Sequence, residues 1–179
     1  MTQSFNDLIE SISHQVDRFT IQIDDSFDGF RNRYEAAVPE FQADRFDSLV
    51  ERGAGWQQVL DATAENAPHH FIRYWSRDFT SLMGLAGDRG RCVGYLMGNH
   101  TIAQRMYRYN PAIMLYAPLR TAIVEDANHA TWFTFDQPSP QFGSFSTPQI
   151  TKVGYELDHK LAALLKHLGA PVPDTLTSS

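Results

Sequence analysis

The sequence predicts an α+β domain, because segments with the period of a strand and segments with the period of a helix both recur along it. The clearest strand signal is DRFTIQID at residues 17–24, where apolar and polar residues alternate. The clearest helix signal lies near the C-terminal end, where apolar residues recur at intervals of three and four. The chain has 179 residues, 42% hydrophobic and 20% charged, which suits one domain with a buried core over residues 1–179.

Charge and composition narrow the class of partner. The formal net charge of -6 argues against a nucleic-acid partner, since phosphate binding needs clustered Lys and Arg. Cys92 is the only cysteine, which excludes an internal disulfide and a Cys-based zinc site. No window reaches the roughly 18 apolar residues of a membrane span, and the first residues do not resemble a signal peptide. We therefore expect a cytoplasmic protein without a membrane partner.

The first 39 residues predict helix, strand and helix in that order. An apolar helical face predicts a first helix and comprises Phe5, Leu8, Ile9, Ile12 and Val16. The strand DRFTIQID follows, with Phe19, Ile21 and Ile23 on one face. Asp25 or Ser26 then caps a helix that ends at Pro39. The apolar face of that helix contains Phe27, Phe30, Tyr34 and Ala37 or Val38.

Residues 40–68 predict a helical insert, in which two amphipathic segments are separated by Gly53 and Gly55. Trp56, which opens the second segment, is expected to be a core anchor. The next segment, up to Phe79, is rich in strand formers. His69 and His70 are expected to be ordinary polar residues, because neighbours on a strand point to opposite faces and do not readily bind one ion. The glycine-rich stretch at 81–91 predicts a flexible connection.

The central stretch, residues 91–137, predicts three strands and one short helix. The strands are expected at 92–97, 113–125 and 130–136, and the helix at 100–109. Pro118 must mark an edge, a bulge or a break in the second strand, because it has no N–H for the ladder. Asp126 to His129 predict a hairpin turn. Cys92, within an apolar strand, is expected to be an inert thiol.

After a loop at 138–146, the last helix begins at Pro148 with Thr147 as its cap, and Gly169 ends it. Glu156 and Lys160 are spaced to form an i,i+4 ion pair. The tail after Gly169 is expected to fray. The apolar face of the helix comprises Ile150, Val153, Leu157, Leu161, Leu164 and Leu168.

Residues 91–169 contain a characteristic order of motifs: a strand ending in Gly-Asn, a short helix, a Pro-Leu-Arg strand, a Glu-Asp hairpin, and a strand ending in Asp and Pro. The residues of these motifs are Gly98, Asn99, Pro118, Leu119, Arg120, Glu125, Asp126, Asp136 and Pro138. In this pattern the chain resembles a bacterial family, domain of unknown function 302. Residues 17–38 and 71–79 match weakly. The chain departs from the pattern at His100, where proline is usual, and in the insert at 40–68.

The resemblance implies a TATA-binding-protein-like fold: a curved antiparallel sheet with helices on one face, in the order β-α-β(4)-α. The N-terminal helix and the insert would be additions to that family-like core, which spans 17–38 and 70–169. The resemblance also implies a homodimer, and it implies no reaction.

We expect a small-molecule ligand near the turn from Gly98 to His100. If the helix after Asn99 packs on the sheet, free N–H groups at its start and nearby cations favour an anion, although a hydrophobic ligand is also possible. The expected ligand-binding residues are Asn99, His100, Arg105, Arg120 and Asp136. A structural interpretation is preferred for these polar groups themselves: Asn99 and His100 cap the helix, and Arg120 is the buried partner of Glu125 or Asp136.

Two further functions remain open. His100 is a candidate ligand for non-covalently bound haem, in a pocket lined by Met97, Tyr107, Met114 and Tyr116. Alternatively, the protein is a small hydrolase or isomerase with His100 as general base and Glu125, Asp126 or Asp136 beside it. No Ser or Cys nucleophile motif supports that enzyme. No site is predicted for a metal ion other than haem iron.

Overall fold

Five strands form one antiparallel sheet in the computed structural model, which describes residues 9–178. They pair in the order β1-β5-β4-β3-β2 once numbered along the chain. The predicted α+β class is confirmed. The strands are β1 (Arg18–Ile23), β2 (Ile72–Asp78), β3 (Arg91–Gly98), β4 (Leu119–Glu125) and β5 (Thr131–Asp136).

The described residues contain seven α-helices. The strands with α1 and α7 follow the order β-α-β(4)-α; two further helices lie where the insert is predicted, and three short ones follow β2, β3 and β5. The helices are α1 (Phe27–Ala37), α2 (Ala43–Glu51), α3 (Trp56–Asn66), α4 (Thr80–Gly84), α5 (His100–Tyr107), α6 (Pro138–Gly143) and α7 (Pro148–His167). Two 3-10 helices lie at Pro111–Leu115 and Asp174–Leu176. None of these helices is long and apolar enough to cross a membrane.

One face of the sheet belongs to the main hydrophobic core. Strand alternation places Ile21, Phe133, Ile123 and Val93 in one row across four neighbouring strands, and all four are buried. Buried residues of α1, α5, α6 and α7 complete this core. The helices therefore cover the face that the apolar residues of the strands occupy.

The helical insert has a hydrophobic cluster of its own, formed by Phe46, Leu49 and Ala62. Trp56 is 46% exposed, so its prediction as a core anchor is wrong. The buried side of α3 consists of Ala62, Thr63 and Asn66 instead. This helix contacts its neighbours through small and polar residues. A search of the sequence for large apolar residues does not find such a contact.

Four other predictions about secondary structure are wrong. Residues 9–17 form no helix: Ile9 and Ile12 are 74% and 59% exposed, and a short apolar face without a packing partner does not stabilise one. The part of that prediction at Phe5 and Leu8 lies outside the described residues. The strand predicted at 113–125 begins only at Leu119, because residues 111–115 form a 3-10 helix that Asn110 caps and a proline opens. Pro118 thus precedes β4.

The other two corrections concern the C-terminal part of the chain. Residues 138–143 form α6 rather than a loop, with Pro138 in the first turn and Phe142 buried against α7. The tail is not frayed at Leu176, which is fully buried in the main core. In both places, tertiary packing orders a segment that the local sequence does not predict to be ordered.

Gly154 allows α6 to approach α7 closely, and we expect Gly154→Val to be destabilising. A Cβ at this position would lie 3.1 Å from the Ser139 Cα and 3.2 Å from the Phe142 Cβ. The added side chain should lower the free energy of unfolding by about 1–3 kcal/mol, as overpacking does. Chemical denaturation measures the change. Gly143→Val is the control, because a Cβ there meets nothing within 4 Å. Equal losses for both variants would contradict the close-packing account.

Candidate functional site

An apolar cavity of about 200 Å³ lies between the end of β3, α5, α6 and α7. Its walls are mainly aliphatic side chains, methionines and one phenyl ring. No Asp, Glu, Lys or Arg of the described part of the chain is among the lining residues. These residues are Tyr74, Gly98, Asn99, His100, Ile102, Ala103, Met106, Met114, Ala117, Pro118, Leu119, Phe142 and Leu157.

Helix α5 forms one wall of this cavity because its apolar residues recur at helical spacing. Ile102, Ala103 and Met106 are its buried residues and face the core. Ala103 contributes only a methyl group, so the wall is recessed between two larger side chains. Asn99 starts the helix, since its Oδ1 accepts hydrogen bonds from the Thr101 and Ile102 N–H groups.

His100 lines the cavity, and both of its ring nitrogens have partners within the protein. Nδ1 lies 2.7 Å from the Tyr74 Oη, and Nε2 lies 2.7 Å from the Thr63 Oγ1. The ring also meets the Phe46 ring edge-on, with centroids 4.7 Å apart. The side chain is therefore fixed by α3, β2 and the cluster of the insert.

The hydrogen bonds around His100 fit a neutral imidazole. The Thr63 hydroxyl donates to the Val59 carbonyl, so it accepts from Nε2–H. The Tyr74 hydroxyl accepts from the His100 backbone N–H and donates to Nδ1. Burial lowers the pKa of His100 below its usual 6.5 and raises the pKa of Tyr74 to about 12. Both groups thus stay uncharged at neutral pH.

This neutral histidine predicts a loss of stability in acid that His100→Asn should remove. A lowered folded pKa contributes stability that is complete above the unfolded pKa of about 6.5 and is lost as pH falls through the folded pKa. The wild type should therefore lose more unfolding free energy than the variant between neutral pH and about pH 5. Denaturant titrations at several pH values measure this. His69 and His70, whose pKa values burial also lowers, are present in both proteins. Parallel pH profiles would contradict a neutral His100.

The start of α5 has no N–H group left for the anion that the sequence suggested. The His100 N–H donates to Tyr74, and the next two N–H groups donate to the Asn99 side chain. The Ala103 N–H donates to the Asn99 carbonyl. Without free donors, the first turn offers little to a carboxylate or phosphate.

The cations expected at this turn lie elsewhere. Arg105 binds Glu156 through two hydrogen bonds of 2.7 and 2.9 Å, so Glu156 pairs with Arg105 rather than with Lys160. Arg120 is exposed and pairs in register with Leu96, between the buried residues Leu119 and Thr121. It points away from the core, so its prediction as a buried partner of an acidic residue is wrong.

The remaining candidates also do not meet at His100. Asp136 bonds to Arg18 at 2.9 Å. Asp126 accepts bonds from the Trp132 indole and from two backbone N–H groups of the β4–β5 turn, which hold the pKa of this carboxyl below its usual range. Burial raises the pKa of the half-buried Cys92 thiol, which agrees with an inert residue. Among the predicted ligand-binding residues, only Asn99 and His100 line the cavity.

The residues that the sequence predicts to line a haem pocket likewise do not lie together around one cavity. Met97 is fully buried, Tyr107 is 49% exposed, and of the four proposed lining residues only Met114 lines the cavity. The His69 and His167 rings stack on each other, with centroids 3.7 Å apart and an angle of 26° between the ring planes. Across residues 9–178, no group of three His, Cys, Asp or Glu side chains is placed to hold a metal ion.

Sequence reasoning missed several residues that build the site. Phe142 was assigned to a loop, and Thr63 and Tyr74 carry no motif. Asp158 is the most informative omission: it is fully buried and accepts bonds from the Gln137 side chain and the Ser139 N–H. Its position beside Leu157 in the apolar face of α7 was a usable signal, since a buried acid must find donors.

The fold and the cavity define an α+β protein with one antiparallel sheet and an uncharged pocket beneath α5. The chain belongs to the family of domain of unknown function DUF302, whose family model matches residues 53–168. That range begins in the turn between α2 and α3, so it includes α3 and leaves out β1, α1 and α2.

A crystal structure of an uncharacterized conserved DUF302 protein from Bacillus stearothermophilus is similar, with a TM-score of 0.59 and 16% identity. The similarity covers 84% of this chain and 97% of that one, and at this identity it shows the fold alone. No curated protein matches the chain by sequence.

Proposed function

We propose that this protein binds a small, uncharged and mainly apolar molecule in the cavity beneath α5. The observation that supports the proposal is the cavity itself, about 200 Å³ in volume and lined without a charged side chain. Apolar pockets with a few polar groups at one end are typical small-molecule sites. Here the polar end consists of Tyr74, Asn99 and His100.

The volume limits the size of the ligand. An apolar cavity of about 150 Å³ stays dry and accepts benzene or xenon, so about 200 Å³ suits a molecule with one ring or two small fused rings, or a short chain. A bound ligand would supply packing contacts that the lining residues lack, and its own apolar surface would be removed from water. An anionic ligand would lose its hydration at a site where Arg105 and Arg120 are absent, and this favours the hydrophobic ligand.

The two alternative functions would require His100 to give up a hydrogen bond that it makes in this structure. Haem ligation by His100 requires breaking its bond to Thr63 or Tyr74, and it requires more room than the cavity provides. General-base catalysis requires one of the same two nitrogens to be released, and Glu125, Asp126 and Asp136 are not hydrogen-bonded to His100. The geometry therefore supports binding of an apolar ligand better than either alternative.

Indole is a suitable probe, and Ala103→Leu should weaken its binding by about tenfold or more. The larger side chain fills the recess in the wall formed by α5, and a tenfold loss corresponds to about 1.4 kcal/mol. Methyl NMR of the methionines measures the titration, with Met106 and Met114 as reporters at the cavity.

Ala36→Leu, on the exposed side of α1, is the matched control and should leave the indole affinity unchanged. The proposal fails if indole produces no saturable shift at Met106 or Met114 in the wild type. It also fails if Ala103→Leu and Ala36→Leu bind indole equally well.

A further inference from the structure

His100 connects the cavity to the helical insert at residues 40–68. Its side chain lines the cavity, while its Nε2 bonds to Thr63 on α3 at 2.7 Å. Its Nδ1 bonds to Tyr74 of β2, which is itself a lining residue. The His100 imidazole thus forms part of the cavity wall and also contacts the insert.

The insert is a unit with its own internal contacts. Its hydrophobic cluster is separate from the main core. Asn66, which is 2% exposed, ties the helices to the entering chain: its amide donates to the Glu40 carbonyl and accepts from the Gln42 N–H. Such a unit can shift as a whole while its internal packing is kept.

The insert meets the rest of the protein through few contacts. Backbone bonds at Arg73 pair its first residues with the start of β2. Phe41 and Phe46 meet the His100 ring edge-on, with centroids 6.0 and 4.7 Å apart. The Thr63 hydroxyl makes the hydrogen bond to the imidazole. The contacts from α3 and from the cluster of the insert therefore converge on His100, the first residue of the helix that forms the cavity wall, and on the neighbouring Tyr74.

We propose that occupancy of the cavity and docking of the insert are coupled through the chain Thr63–His100–Tyr74, so that the insert regulates ligand binding. This rests on the proposed ligand-binding function. The docked insert fixes the imidazole and with it the polar end of the cavity. A ligand that packs against this wall stabilises the docked insert, because coupling between two binding events is reciprocal.

Thr63→Val tests the coupling, since it removes the hydroxyl and keeps the shape of the side chain. Thr134→Val is the matched control: it removes a hydroxyl that bonds to Thr20 on β1. Hydrogen exchange of α2 and α3 reports docking, the Met106 methyl signal reports the cavity wall, and indole titration reports binding. In Thr63→Val we expect about threefold to tenfold faster exchange in the insert and an indole affinity lower by a similar factor, the range for one lost hydrogen bond.

Three outcomes decide between the possibilities. Faster exchange in the insert with a shifted Met106 signal and weaker indole binding, all absent from Thr134→Val, supports the coupling. Faster exchange with an unchanged Met106 signal and unchanged affinity overturns the coupling and leaves ligand binding intact. If indole does not bind the wild type but Thr63→Val still moves the Met106 signal, the proposed ligand fails while the link between insert and cavity wall stands.

Discussion

Replacing Phe142 by alanine is expected to lower the free energy of unfolding by about 3–5 kcal/mol, the range for deleting a buried phenyl ring. Phe142 is fully buried, lines the cavity and meets the Tyr116 ring edge-on at 6.3 Å. Its loss leaves α6 without its main apolar anchor on α7 and enlarges the cavity. Denaturant unfolding measures the change.

The same variant should respond more strongly to a ligand. Indole at saturating concentration is expected to stabilise Phe142→Ala more than the wild type, because it replaces contacts that the deletion removed. Phe145→Ala is the control, since Phe145 also contacts Tyr116 but does not line the cavity. Phe145→Ala should lose less stability than Phe142→Ala, and indole should stabilise it no more than it stabilises the wild type. An equal response of both variants would contradict the position of Phe142 at the ligand site.

Replacing Asp158 by alanine is expected to cost about 2–4 kcal/mol. The carboxylate accepts from the Gln137 side chain at 2.7 Å and from the Ser139 N–H at 2.9 Å. Its removal leaves the Ser139 N–H without a partner, at a cost of about 1–3 kcal/mol, and leaves the Gln137 amide with only its bond to the Ser139 hydroxyl. Because Ser139 lies in the first turn of α6, this contact fixes that helix on α7.

The pH dependence separates the charge of Asp158 from its hydrogen bonds. Burial is the main cause that raises the pKa of this carboxyl above 3.8. A raised pKa contributes stability that is complete below the unfolded pKa and is lost as pH rises through the folded pKa. Relative to the wild type, Asp158→Asn should therefore gain stability as pH rises above about 3.8. An alanine variant as stable as the wild type would contradict the account of this contact.

Much of the fold follows from local signals. Strand alternation located β1, the cap at Ser26 located α1, and the long apolar face with its flanking proline and glycine located α7. The segments that were missed depend on distant partners. Helix α6 is short and rich in proline, and its order comes from its contacts with Gly154 and Asp158. The homodimer that the resemblance implies stays a prediction.

The site was predicted less well than the fold. Arg120 lies between two buried residues of β4, so strand alternation alone places it on the outer face, away from α5. The recess in the cavity wall depends on the small side chain of Ala103, which no motif in the sequence marks.

His100 and the insert were the two departures from the family pattern in the sequence. The structure brings them into contact through Thr63 and Phe46. A proline at position 100 would offer no side-chain group to Thr63, so the imidazole suits a chain that has α3 at this place. The family match begins at residue 53, so the Thr63 contact lies within the matched range and the Phe46 contact lies before it.

Diffraction from crystals exposed to xenon tests the central claim most directly, because xenon occupies dry apolar cavities regardless of the identity of the natural ligand. The account predicts an anomalous peak inside the cavity, in contact with Met106, Phe142 and Leu157, and its loss in Ala103→Leu. Ordered water at that position with no xenon peak would contradict an apolar ligand site beneath α5.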